Sequence, residues 1–152
     1  AKAAQMYDPS LAWIDPAGSF FPPGAARLGM DLARLLWVRP RDVGEALWAA
    51  HVLLAGGAFG RVVLDLPGAH VDRRVERALL RLQRDAEGSA ASGFLLAPEA
   101  LPGVALTLFC HEDPAGLRIA WQLRRGAGRR RGELVVAAPD PAGSNGPVAA
   151  TP

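Results

Sequence analysis

The sequence predicts an α/β fold: a mostly parallel sheet flanked by helices, followed by an antiparallel meander. Three observations predict it. Four short runs, "LAWI" (11–14), "LLWV" (35–38), "RVVLDL" (61–66) and "GFLLA" (93–97), are nearly all apolar, as expected of strands covered on both faces. Stretches of helical periodicity separate them, which implies right-handed βαβ units. Beyond residue 104 the pattern changes to alternation. "ALTLF" (105–109), "LRIAWQL" (117–123) and "ELVVAA" (133–138) suggest antiparallel strands joined to the end of the sheet.

The elements follow in order. After the first strand, Pro22 opens a short helix over 22–28. Asp42 is a natural N-cap for a helix in which Val43, Leu47, Ala50 and Leu54 recur at helical spacing. Gly56-Gly57 ends it. Trp48, Val52 and Ala55 lie off that stripe, so the helix is apolar on a second side, facing either another element or a partner. A further helix over 71–85 carries Val71, Val75, Ala78, Leu79 and Leu82 on its apolar face. "PDPAGSNGPVAATP" lacks apolar periodicity. The expected organisation is one domain over 1–138 and a disordered tail over 139–152.

Composition narrows the functional classes. The chain has 152 residues, half of them hydrophobic and 21% charged, which is globular. No apolar run approaches the roughly 18 residues of a membrane span, and no signal-peptide pattern opens the chain. Cys110 is the only cysteine, so no intrachain disulfide forms and it is expected to fill core space. A reducing, cytoplasmic setting is expected. The basic residues are arginines apart from Lys2, and the formal net charge is only +2. That allows an acidic or nucleic-acid partner without demanding one.

Few residues are placed to carry chemistry. Asp65 ends a buried β-run, which is the Walker-B arrangement for holding the water shell of Mg²⁺. Many α/β strands end in Asp only to cap the next helix. The phosphate cradle GxxxxGK[ST] is absent. His51, His70 and His111 have no metal-binding spacing, and no serine lies in a GxSxG elbow. No catalytic residue, cofactor or metal is therefore assigned. Arg74, Arg77, Arg81 and Arg84 stack on one helix face, with Asp72, Glu76 and Asp85 close enough to neutralise part of the stripe. They form either a solvated face or a docking surface. "RRGAGRRRG", with Arg124, Arg125, Arg129, Arg130 and Arg131, reads as a mobile basic turn.

The order of these motifs resembles the RecA recombinase core. "LLWVRPRDVGEALWAAHVLLAGGAFGRVVLDLP" and "RLQRDAEGSAASGFLLAP" are similar to the RecA-like ImuA proteins, which are linked to damage-induced mutagenesis. The resemblance spans about residues 10–138. It implies a RecA-like core lacking the P-loop strand, which the family places between the equivalents of 93–97 and 105–109; direct pairing of those two runs is expected if the chain is native, and a gap filled by a partner or a neighbouring copy if it is a fragment. The family's catalytic glutamate falls at Ala17 and its glutamine sensor near Pro98. Asp65 remains as a vestigial Walker-B position. The implied role is a non-catalytic adaptor in SOS-type translesion synthesis, with an ImuB-like protein, an error-prone DNA polymerase and the recombinase filament as partners and nucleic acid bound weakly or indirectly. Trp48, the arginine stripe and the basic cluster are the contact candidates. The alternatives are a division inhibitor of the SulA type, from the same wider clan, and a fragment of a P-loop ATPase.

Loss of cradle, base and sensor together predicts no nucleotide turnover. A fluorescent ATP analogue with Mg²⁺ is expected to bind neither this chain nor its Asp65→Ala variant. Saturable binding that needs Asp65 would restore the ATPase reading.

Overall fold

A computed structural model describes residues 10–66, 68, 72–98, 101, 104–125 and 128–137, with the backbone alone at 124 and 125. Two compact units lie within Ala1–Gly103 and Val104–Pro152. The tail expected over 139–152 lies outside the described residues.

In the first unit, β1 (Leu11–Ile14) is central. It pairs in parallel with β2 (Leu35–Val38) on one side and β3 (Arg61–Asp65) on the other, and β4 (Ser92–Leu96) adds beyond β3. The order β2-β1-β3-β4 reverses direction at β1. Right-handed connections then put α1 (Pro22–Arg27) on one face, and α2 (Val43–Gly56) and α3 (Arg73–Gly88) on the other. The predicted helix after Asp42 forms as read. The Asp42 carboxylate accepts the Glu45 N–H at 2.9 Å, and Gly57, in the left-handed region, closes the last turn. Asp72 caps α3 in the same way, accepting from the Val75 N–H at 2.8 Å. The carboxylate expected to neutralise the arginine stripe thus caps the helix instead.

Register decides what each face buries. Ala12, Val62 and Gly93 lie side by side on the helix face, and Leu54 of α2 packs over Gly93. Ile14 and Leu64, two residues on, are fully buried there with Leu47, Ala50, Val75, Leu79 and Leu82 of the helices. Each such aliphatic side chain removed from water stabilises the fold by about 1.5–3 kcal/mol. The opposite face carries Trp37, Trp13, Val63 and Phe94 in register. Phe20 covers part of it, its ring 4.6 Å from that of Trp13 and 5.6 Å from that of Trp37. The expectation that all four strands are covered on both faces is corrected here. β2 and β4 are edge strands, and Leu36, Trp37, Phe94 and Leu96 stay well exposed.

The second unit is a three-stranded antiparallel sheet in the order β5-β6-β7, built from β5 (Leu106–Asp113), β6 (Gly116–Arg125) and β7 (Gly128–Ala137). Pro114-Ala115 makes the two-residue turn from β5 to β6. The Asp113 carboxylate braces that turn by accepting the Ala115 N–H at 2.9 Å, and it holds Arg118, which also reaches Glu133. Two readings change. The meander does not continue the parallel sheet, and residues 93–97 do not pair with 105–109: among the described residues β4 pairs with β3 and β5 with β6. β5, β6 and β7 pair with one another in sequence order, each with its neighbour along the chain. Cys110, expected in a core, is exposed on β5.

Trp121 of β6 stands directly across from Gly132 of β7. A Cβ at Gly132 would lie 2.5 Å from the indole ring. Gly132→Ala is therefore expected to displace Trp121, changing its near-ultraviolet circular dichroism, and to cost about 1–3 kcal/mol of overpacking strain. An unchanged tryptophan signal with unchanged stability would show that the ring does not lean on this glycine.

Candidate functional site

Two places bring polar side chains together. The first is the carboxyl edge of the parallel sheet, where β1 and β3 end side by side. In open α/β sheets with such an order, this reversal point leaves a crevice that commonly receives a ligand. Here Asp15 and Asp65 flank it. Asp15, one residue past β1, is fully buried. Its two oxygens accept the Ser19 N–H at 3.0 Å, the Phe20 N–H at 2.9 Å and the Trp37 indole N–H at 3.3 Å. Gly18, at φ +69°, turns the loop back so that these amides point inward. The Ser19 hydroxyl lies 3.1 Å from an Asp65 oxygen and 3.4 Å from one of Asp15, so it bridges the two carboxylates. Burial pushes the Asp15 carboxyl up, but the N–H groups of Phe20 and Ser19, the Trp37 indole and the Gly18 N–H outweigh it and hold it below the usual carboxylate range. Asp65 goes the other way. Burial raises it, the Ser19 hydroxyl offsets part of the rise, and the negative charge of Asp15 adds to it. Among the described residues, no group of three or more His, Cys, Asp or Glu side chains is placed to hold a metal ion.

The second place is a groove of about 600 Å³ between α2 and α3. Trp48 and His51 line it from α2, and Arg73, Arg74, Arg77 and Arg81 from α3, over a floor that includes Leu47, Ala78 and Leu82. Trp48 is 67% exposed and Val52, beside it on the same edge of α2, is 46% exposed. This is the second apolar side anticipated for that helix. His51 Nδ1 and an Asp85 carboxylate oxygen lie 2.7 Å apart and tie the two helices together. Asp85 is therefore engaged by the histidine and not by an arginine. Among the described residues, no ion pair or hydrogen bond engages Arg74, Arg77 or Arg81. The acids expected to neutralise the stripe do not reach it: Asp72 caps α3, Asp85 holds His51, and Glu76 falls on the opposite edge of the helix with Gln83 and Glu87.

The structure thus gathers part of what the sequence singled out. Trp48, Arg74, Arg77 and Arg81 share one groove. Arg84 does not line it, and its guanidinium donates to the Leu80 carbonyl at 3.2 Å. The basic cluster belongs to the second unit and is mostly strand, not turn. Arg124 and Arg125 close β6, and Arg129, Arg130 and Arg131 are exposed on β7. Arg131 borders a shallow depression with Phe109 and Trp121. Sequence reasoning missed the Ser19 bridge, the Trp37 bond and the His51–Asp85 clasp. The Asp-Pro-x-Gly-Ser turn signal at 15–19 pointed toward the first; the clasp spans 34 positions and has no local signal.

The two carboxylates predict opposite pH behaviour. Asp15 is lowered, so its contribution to stability is complete above the ordinary carboxylate range and drains away as pH falls toward its own lower value. Asp65 is raised, so the fold holds its proton more tightly than the unfolded chain does. Stability is then lost as pH rises from the ordinary carboxylate range through the raised value. Asp15→Asn places an NH₂ group against three donors and is expected to lower stability at neutral pH by about 3 kcal/mol. Asp65→Asn removes the repulsion and is expected to raise the unfolding temperature at neutral pH, with the gain vanishing in acid. Denaturation curves of both variants between acid and neutral pH check the signs.

No family model matches this chain, and no curated protein matches it. Among solved structures it is similar to the crystal structure of SulA from Pseudomonas aeruginosa, at 23% sequence identity and a TM-score of 0.46, over 61% of this chain and 76% of that one.

Proposed function

We propose that this chain is a non-catalytic α/β adaptor that works by binding other proteins through the α2–α3 face. The observation that carries the reading is the groove itself. An exposed tryptophan and four arginines, none with an ion pair or hydrogen bond among the described residues, converge on one apolar floor. Tryptophan and arginine are the side chains most often found to dominate binding energy at protein interfaces.

The carboxyl edge supports the same reading from the other side. A general base needs a free lone pair facing the reacting group. The Asp15 oxygens accept donors from the chain's own loop and from Trp37, and the Ser19 hydroxyl occupies the space between Asp15 and Asp65. With no phosphate cradle in the sequence, Asp65 acts as part of a loop anchor.

By the resemblance to ImuA, the process is damage-induced translesion synthesis, and the partners are an ImuB-like protein, an error-prone polymerase and the recombinase filament. The immobilised chain is expected to retain an ImuB-like protein from its own source. The combined Trp48→Ala and Arg77→Glu variant should lower that retention about tenfold or more. Failure to retain it, together with filamentation on overexpression that excess tubulin-like division protein relieves, would replace this reading with the division inhibitor.

A further inference from the structure

The partner's binding element can be specified more closely, and this rests on the adaptor reading above. We infer that the α2–α3 groove receives an acidic amphipathic helix of the partner protein, laid along α3 with carboxylates toward the arginines and aliphatic or aromatic side chains toward Trp48 and the floor.

Charge complementarity is the first argument. α3 is sided: its basic edge lines the groove, while Glu76, Gln83 and Glu87 occupy the far edge. Asp85, on the groove side, bonds His51 at 2.7 Å and not an arginine. Among the described residues, Arg74, Arg77 and Arg81 therefore keep their N–H donors free for a partner's carboxylates. Guanidinium groups favour carboxylates, which they bind in fork geometry.

Spacing is the second. Arg74, Arg77 and Arg81 stand at i, i+3 and i+7, covering ~10 Å of α3 at about 1.5 Å per residue. Carboxylates at i, i+3 and i+7 of a helix lying alongside repeat at the same intervals. An extended peptide offers same-side groups only every ~6.8 Å, so it falls out of step with the arginines.

The apolar floor is the third. Leu47, Ala78 and Leu82 suit the apolar stripe of a helix. A single-stranded nucleic acid gains from successive aromatic platforms, and among the described residues Trp48 is the one Trp, Tyr or Phe lining this groove. Amphipathic helices reading such grooves through i, i+3, i+4 and i+7 anchors are a recurring mode of recognition.

The test is fluorescence anisotropy on the full chain. The probe is a labelled peptide of about four helical turns, with Glu at i, i+3 and i+7 and Leu or Phe on the adjoining stripe. Saturable binding is expected, weakened about tenfold or more by Arg77→Glu with Arg81→Glu and separately by Trp48→Ala. Arg84→Glu, outside the groove, should leave it unchanged. Circular dichroism of each variant establishes that it is folded. The inference is overturned if a scrambled peptide of the same composition binds equally, if an oligothymidylate of matching charge displaces the probe at equal concentration, or if folded protein shows no saturable binding. Peptide failure with partner retention intact would reject the helix and leave the adaptor standing; loss of both would reject both.

Discussion

Taking an ionised carboxylate out of water costs several kcal/mol unless donors replace the lost hydration. Asp15 sits at the end of the central strand with no exposed surface, so the chain around it has to supply those donors. The loop does so by doubling back at Gly18, which aims the Ser19 and Phe20 amides inward. The neighbouring strand contributes the Trp37 indole. Around it, Phe20 packs against Trp13 and Trp37, the guanidinium of Arg39 lies over the Trp37 ring, and Ser19 reaches on to Asp65. A crevice that this topology leaves open elsewhere is filled here by the chain itself.

A second group of polar side chains lies on the helices. Both α2 and α3 pack on one face because β2 to β3 and β3 to β4 run in the same direction across the sheet. Their apolar stripes meet the sheet, and their facing edges form the groove. The His51–Asp85 contact ties the two helices together and engages Asp85 with a histidine and not with an arginine. One interaction therefore serves packing and also leaves the arginines' N–H donors open.

What was legible in the sequence was local. The strands at 11–14 and 35–38 and the helix from Asp42 to Gly57 appear where they were read, because apolar runs, caps and left-handed glycines act over a few residues. The side-by-side grouping of Trp48 with Arg74, Arg77 and Arg81 needed the crossover order, which no local signal carries. The two clear corrections share a cause. Cys110 was assigned to a core and 105–109 to the parallel sheet because an apolar run says that a strand forms, not which sheet it joins or which face is covered. The exposure of Phe94 and Leu96 on β4 has the same origin: being at an edge is a property of the assembled sheet.

The sidedness of α3 reaches beyond contact distance. With Arg74, Arg77 and Arg81 along one edge and Glu76 and Glu87 along the other, α3 separates charge across its axis. For an acidic partner of the kind inferred above, that separation would orient the encounter before contact. That orienting field acts over roughly a Debye length, about 8–10 Å in physiological salt. Its effect falls chiefly on the frequency of productive encounters and not on the lifetime of the complex.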